Sequence, residues 1–270
     1  MKSSTDIKQR LQEHLIEVKK ANQNLYKFFV IAVNGSYNYD LATDSSDIDS
    51  KLLVIPSFEQ LVWNKYHNYL HVMKDNGEHV EVKDVRRYTA TIFKQNINFV
   101  ETLFAKVYIC NLEYEKQWKS LLDYREQIAR YNPVAAVDCM MGMARQKQIQ
   151  MTKMSEGRAA NIEKFGYDTK SFHHAMRLYF FAEDYMKGVP YEECLIRTQH
   201  PKLTEWLIKA KTGELGFDID GANKCIDTMR ANLEPQVEYF KSKMGNTTDT
   251  KIRTIVDNKV VEIIKEGMRL

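Results

Sequence analysis

Apolar positions change rhythm along the chain, and each rhythm predicts a different element. Ile7, Leu11, Leu15 and Val18 recur at helical spacing, on a helix that Thr5 or Asp6 can cap and that ends near Ala21-Asn22. Phe28–Val33 is a continuous apolar run and reads as a buried strand. A second strand is predicted over Asp47–Ile55, stopped by Pro56, and Ser57–Leu61 opens a short helix. Asp75-Asn76-Gly77 is a turn leading into a strand at His79–Lys83.

From about residue 112 the pattern is helical. Leu112–Arg130 carries Trp118, Leu121, Leu122 and Ile128, and Asn132-Pro133 starts a helix that runs to about Met154. Met140, Met141, Met143, Met151 and Met154 read as adaptable core. Asp168 or Thr169 starts the next helix, which ends near Gly188-Val189-Pro190. A polar break at Gly245–Asp249 precedes a final helix with Ile252, Val256, Val260, Ile263 and Ile264 on its apolar side. The expected fold class is α+β: a small mixed sheet with flanking helices over residues 1–111, then a mostly helical domain over 112–270.

Composition narrows the class only slightly. A net charge of +3 over 270 residues does not announce a nucleic-acid protein by itself. Cys110, Cys139, Cys194 and Cys225 are widely spaced and read as reduced, mostly buried thiols. No apolar run is long enough to span a bilayer, and Met1–Lys20 is too polar for a secretory signal, so a cytoplasmic location is expected.

The chemistry concentrates where the first strand ends. Asn34-Gly35-Ser36 is a small-residue loop, and Ser46-Asp47-Ile48-Asp49 follows closely. Strand alternation sends Asp47 and Asp49 to one face and Ile48 into the core. Two carboxylates beside such a loop suit Mg²⁺ carrying a polyphosphate, because Mg²⁺ takes one or two protein carboxylates and completes its shell with water and phosphate.

Gly35-Ser36 through Asp49 resembles the signature of the DNA polymerase β nucleotidyltransferase superfamily, with a buried strand on either side. With Tyr39 and Leu41-Ala42-Thr43 included, it is similar to the RNA repair pathway DNA polymerase β family. Val85-Arg86-Arg87-Tyr88, Asn96 and Val100–Phe104 resemble that family's helical segment. Gly166–Lys170, His174 and Arg177-Leu178 resemble its C-terminal helical motif. The chain departs from the pattern at Asp40, where the family usually has glycine, and at Asp44, where it often has proline.

The resemblance implies a polymerase-β-like palm and a helical domain that completes the nucleotide and acceptor cleft. It implies a third carboxylate on a later strand, for which Glu81 is the first candidate and Glu78 the second. Asp47, Asp49 and Glu81 would then hold two Mg²⁺ or Mn²⁺ ions, and Gly35 and Ser36 would meet the phosphates of an NTP. The implied reaction moves an NMP group to a hydroxyl, with RNA as acceptor, in end repair or tRNA modification. Transfer to a small molecule or a protein, or a catalytically silent nucleotide- or RNA-binding module, are the alternatives.

Lys170, His174 and Arg177 stand at i, i+4 and i+7, so one helix face carries all three. They read either as nucleotide contacts or as a solvated charged face with one packed histidine. Tyr167 is a candidate for base stacking, and Arg145 and Lys147 extend the basic wall or are ordinary surface charges. His67 and His71 lack the third ligand a zinc site needs, and no phosphate-loop, dinucleotide or nucleophile-elbow motif is present.

Overall fold

The computed structural model describes residues 2–22, 27–195, 200–245 and 247–268. The chain forms two compact units, one of residues 1–131 with 248–270 and the other of residues 132–247. The fold is α+β, with one five-stranded mixed sheet in the first unit and helices elsewhere.

Helix α1 (Ser4–Ala21) starts one turn earlier than the sequence suggests. Ser3 is its cap, and Ser3 and Asp6 form a reciprocal capping box. The helix buries Ile7, Leu11, Leu15 and Val18 against the sheet. That sheet has the order β3-β4-β2-β1-β5, with β1 at Lys27–Asn34, β2 at Asp49–Ile55, β3 at Asn68–Val72, β4 at His79–Asp84 and β5 at Tyr108–Cys110. Strands β2 and β4 pair parallel, and the other three pairs are antiparallel. β3 and β5 carry no apolar run and are the two elements of the sheet that the sequence pattern does not announce.

The two faces of the sheet differ. Ile31, Val33, Leu52, Val54, Val80 and Val82 point to the α1 side and form its core. The opposite face is apolar at one end, where Ile55 meets the last helix, and polar at the other, where Asp49, Lys51 and Glu81 stand. After α2 (Phe58–Val62), α3 (Val85–Ile92) and α4 (Ile97–Val100), helices α5 (Glu115–Leu122) and α6 (Arg125–Ala129) complete this unit together with α13 (Thr250–Gly267).

The division of the chain therefore falls elsewhere than at 111/112. Trp118 on α5 is fully buried, edge-on to Phe29 of β1 at 5.6 Å and to Tyr108 of β5 at 5.8 Å. Gly267 on α13 packs so closely on β2 that a Cβ there would lie 2.7 Å from Ile55. Helical periodicity shows that these segments are helices; it does not show whose core they cover.

The second unit is helical: α7 (Pro133–Gln150), α8 (Glu156–Phe165), α9 (Thr169–Met186), α10 (Tyr191–Leu195), α11 (Pro201–Thr212) and α12 (Ile219–Met244). Asn132 caps α7 ahead of Pro133. Asp168 caps α9, which is buried on most sides and packs against α7, α11 and α12. Met140, Met141 and Met151 are core residues, whereas Met154 is 64% exposed. None of the four cysteines is in a disulfide; Cys194 is buried and the other three are half-buried. No described helix is long and apolar enough to cross a membrane.

Candidate active site

Strand β1 ends at Asn34, whose partner across the antiparallel ladder is Asp49. Gly35 then takes φ +72°, a left-handed conformation that glycine adopts without strain, and opens a 3₁₀ turn over Gly35–Asn38. The turn brings Gly35 beside the second aspartate: a Cβ at Gly35 would sit 4.0 Å from Asp49 Oδ2. The Ser36 carbonyl accepts the N–H groups of Tyr39 and Leu41, closing the loop on itself.

Asp47 and Asp49 alternate with Ile48 as the sequence predicts. Ile48 is fully buried, Asp47 is exposed, and Asp49 is half-exposed. The strand itself begins at Asp49, so Asp47 lies just before it. Asp49 Oδ1 accepts the His79 N–H at 3.1 Å, with the His79 imidazole Nδ1 at 3.5 Å. Asp47 has no hydrogen bond or ion pair among the described residues.

Behind this pair lies Glu78. Its Oε1 accepts the Ile48 N–H at 2.9 Å, and its Oε2 meets Arg10 Nε at 2.5 Å and His14 Nε2 at 3.0 Å. Burial alone would raise this carboxyl, but the Ile48, Arg10, His14 and Asn76 contacts outweigh it and bring its pKa down to about 2. At 2% exposure, on the α1 side of the strand, Glu78 holds the peptide between the aspartates and takes no place beside them.

Glu81 stands on the same face as Asp49. Register pairs Glu81 with Lys51, which is two residues beyond Asp49 on β2. Its carboxylate lies 3.9 Å from Lys51 Nζ and 3.5 Å from Lys83 Nζ. Lys51 is also 3.7 Å from the buried Glu101, which accepts the Tyr39 hydroxyl. Both lysines lie under the Phe99 ring, at 5.2 and 3.6 Å from its centroid. Burial pushes the Lys83 ammonium below its ordinary pKa; Glu81 opposes that, and Lys51 adds to it. Among the described residues, no three His, Cys, Asp or Glu side chains are gathered into a metal-binding cluster. Asp47 and Asp49 are thus available donors, and Glu81 is engaged by two lysines.

The sequence reading missed Lys51 and Glu101. A lysine heading the apolar stretch Lys51–Ile55, at i+2 from Asp49, is the signal that would have found the first. Nothing local marks Glu101, since its partners come from β2 and from the loop after β1.

Asp40 adopts φ +60°, a left-handed conformation uncommon for a residue with a side chain. Its carboxylate is paired with Lys106, so its charge is compensated within the loop. The same lysine's backbone N–H donates to Asn38 Oδ1 at 3.0 Å, which pins the loop to the segment before β5.

In the second unit, the Lys170–His174–Arg177 face grades from exposed to buried. Lys170 is exposed, His174 half-buried, and Arg177 only 4% exposed. Desolvation, with His173, Arg177, Lys147 and Lys211 nearby, holds His174 well below its ordinary pKa. Lys147 is likewise lowered, by burial first and then by Arg158 and Arg177, with Asp168 opposing. The stripe is therefore graded, with a cation at each end and a neutral imidazole between them, rather than a flat exposed basic wall. Tyr167 is 2% exposed and packs edge-on to Phe172 at 6.2 Å, so it is a core residue and not a stacking surface.

No family model matches the chain, and no curated protein matches it. Among solved structures it is similar to a nucleotidyltransferase-like protein from Exiguobacterium sibiricum 255-15, at 12% identity and a TM-score of 0.33, covering 96% of this chain and 91% of that one. That likeness assigns no residue of this chain a role.

Proposed function

We propose that the chain is a divalent-metal-dependent nucleotidyltransferase that moves an NMP group from an NTP to a hydroxyl, with RNA as the acceptor. The observation that carries this reading is the placement of Gly35 against Asp49 at the ends of β1 and β2, with Asp47 exposed two residues before Asp49. Hard oxygen donors outside any lysine or arginine ion pair suit Mg²⁺, and Mn²⁺ would use the same set. Such an ion supplies charge neutralisation at a transferring phosphoryl group and a more acidic attacking hydroxyl.

The chain's own residues do the rest. Asp47 and Asp49 supply the carboxylates, and Glu78 holds the peptide between them. Gly35 and Ser36 line the phosphate side, where the Ser36 hydroxyl makes no hydrogen bond among the described residues. Glu81 would be the third carboxylate of the reading, and in the structure it faces Lys51 and Lys83. In the second unit, Lys170, His174 and Arg177 are the groups the reading assigns to the nucleotide, two as cations and His174 as a neutral hydrogen-bonding imidazole.

Incubation with each labelled NTP and total RNA tests this. Label in RNA, with pyrophosphate released, is the expected result; label in protein or small molecules moves the acceptor. The engagement of Glu81 by two lysines favours a second reading, a nucleotide- or RNA-binding module without turnover. Binding of NTP with no pyrophosphate under any acceptor would establish that one.

A further inference from the structure

Between α2 and β3 the chain exposes an aromatic and basic surface that the site above does not use. Phe58 and Val62 lie at i and i+4 on α2, 64% and 63% exposed, and Trp63 follows at 62%. Large apolar side chains held this far into water on one short segment mark an interaction surface. Lys65 Nζ lies over the Trp63 ring at 4.9 Å. Tyr66 is flanked by two guanidinium groups, Arg86 at 4.3 Å and Arg87 at 4.1 Å from its ring centroid.

The charges on this surface are not equivalent. Arg86 is committed: it donates to both oxygens of the buried Asp84, at 2.9 and 2.6 Å, and to the Lys65 carbonyl at 2.7 Å. That bond ties the loop to the start of α3. Lys65 and Arg87 are exposed and have no ion pair among the described residues. Glu59, the carboxylate of α2, accepts from Ser57 Oγ at 2.8 Å. Two uncompensated cations beside an exposed indole and phenyl ring match a ligand that alternates phosphates with flat bases.

We propose that Phe58, Trp63, Lys65 and Arg87 form a binding surface for single-stranded RNA. This deepens the acceptor part of the function proposed above and rests on it. The surface lies at the Asp84 end of β4, and Asp49 lies beside His79 at the other end of the same strand. Five residue steps of strand separate them, about 17 Å. An acceptor whose 3′ end reaches the aspartates therefore has its preceding nucleotides within reach of Trp63 and Lys65.

The test is fluorescence anisotropy with a 5′-fluorescein oligo(U) 12-mer, over a series of salt concentrations. Trp63→Ala should weaken binding by about 5- to 150-fold, the range of one lost base stack. Lys65→Ala with Arg87→Ala should flatten the plot of log K against log salt by about 1.4, from about 0.7 per phosphate contact. All three residues are exposed, so an unchanged Tm is expected and separates lost binding from lost folding. Wild-type affinity and slope in the triple variant would overturn the proposal, as would a wild-type protein that does not bind the 12-mer, the outcome a protein-docking surface predicts. Nucleotide incorporation is measured on the same samples. Oligo(U) binding that maps to this surface without incorporation refutes the transferase reading alone. Incorporation into RNA with an unchanged KM in the triple variant refutes this surface alone.

Discussion

Glu78 Oε1 accepts the backbone N–H of Ile48 at 2.9 Å, and this one bond anchors the peptide between the exposed Asp47 and the half-exposed Asp49. The anchor is itself held from α1 by Arg10 and His14. His14 uses its other nitrogen, Nδ1, to meet Ser50 Oγ at 2.9 Å, so α1 grips β2 on both sides of Asp49.

Removing that anchor should affect both stability and metal use. Glu78→Ala leaves the Ile48 N–H and Arg10 without their buried partner, which we expect to cost roughly 2–4 kcal/mol. Glu78→Gln keeps an acceptor for Ile48 and should recover part of that loss. Urea denaturation measures the cost, and in a Mg²⁺ or Mn²⁺ titration the alanine variant should need more metal for half-maximal activity.

Asp47→Asn with Asp49→Asn should abolish pyrophosphate release while leaving Tm unchanged within a degree or two. Asp47 is exposed and Asp49 half-exposed, so neither carries core packing. Full activity in the double variant would remove the metal site from these residues.

The loop glycine and Asp40 make a contrasting pair. Gly35→Ala must place an alanine at φ +72°, at a cost of about 1–2 kcal/mol, with the new methyl beside Asp49 Oδ2. Asp40→Gly relieves a strained φ of +60° but loses the Lys106 pair, so its stability change should stay within about 1 kcal/mol. Thermal melts of the two variants test the order: Gly35→Ala is clearly destabilised, and Asp40→Gly is near neutral.

His173 sets an acid limit. Its ring is buried, Nδ1 donates to the Leu207 carbonyl at 2.8 Å, and burial brings its pKa down to about 3 despite that bond. The unfolded chain protonates this ring near pH 6.5 and the folded chain only near 3, so the unfolded state binds more protons between these limits. Stability is therefore full above about pH 6.5 and falls as pH drops toward 3. Glu78, depressed to about 2, adds a second loss as pH falls below about 4.3. Tm measured against pH should show both, and His173→Asn should reduce the upper loss, leaving the part that His174 and His14, also held low by burial, contribute.

The parts of the site that were legible in the sequence are those set by local geometry. Period-two alternation placed Asp47 and Asp49 on one side of Ile48, and a glycine at a strand end marked the left-handed turn. The resemblance singled out Glu81, with alternation sending Val80 and Val82 to the opposite side; only the β2–β4 register put it on the face of Asp49, beside Lys51 and Lys83. The Glu78 assignment needed contacts 30 and 64 residues away in sequence, at Ile48 and His14. Alternation from Glu81 puts Glu78, three residues back, on the other side with Val80, but it is silent on what Glu78 meets there.

The sequence by itself determined the α1 stripe, the buried strands, the capped starts of α7 and α9, and the Gly35–Asp49 segment. Each follows from periodicity, capping or backbone freedom within about ten residues. Tertiary structure alone decided that Trp118 and Gly267 close the sheet-bearing unit. It also decided that Tyr167 and Arg177 are buried, and that Glu78 supports the aspartates from behind. These outcomes depend on which distant surfaces exclude water together, and burial of that kind has no local signature. Asp40 shows both at once: its position in the loop was readable, and its charge balance became visible only when Lys106 was folded beside it.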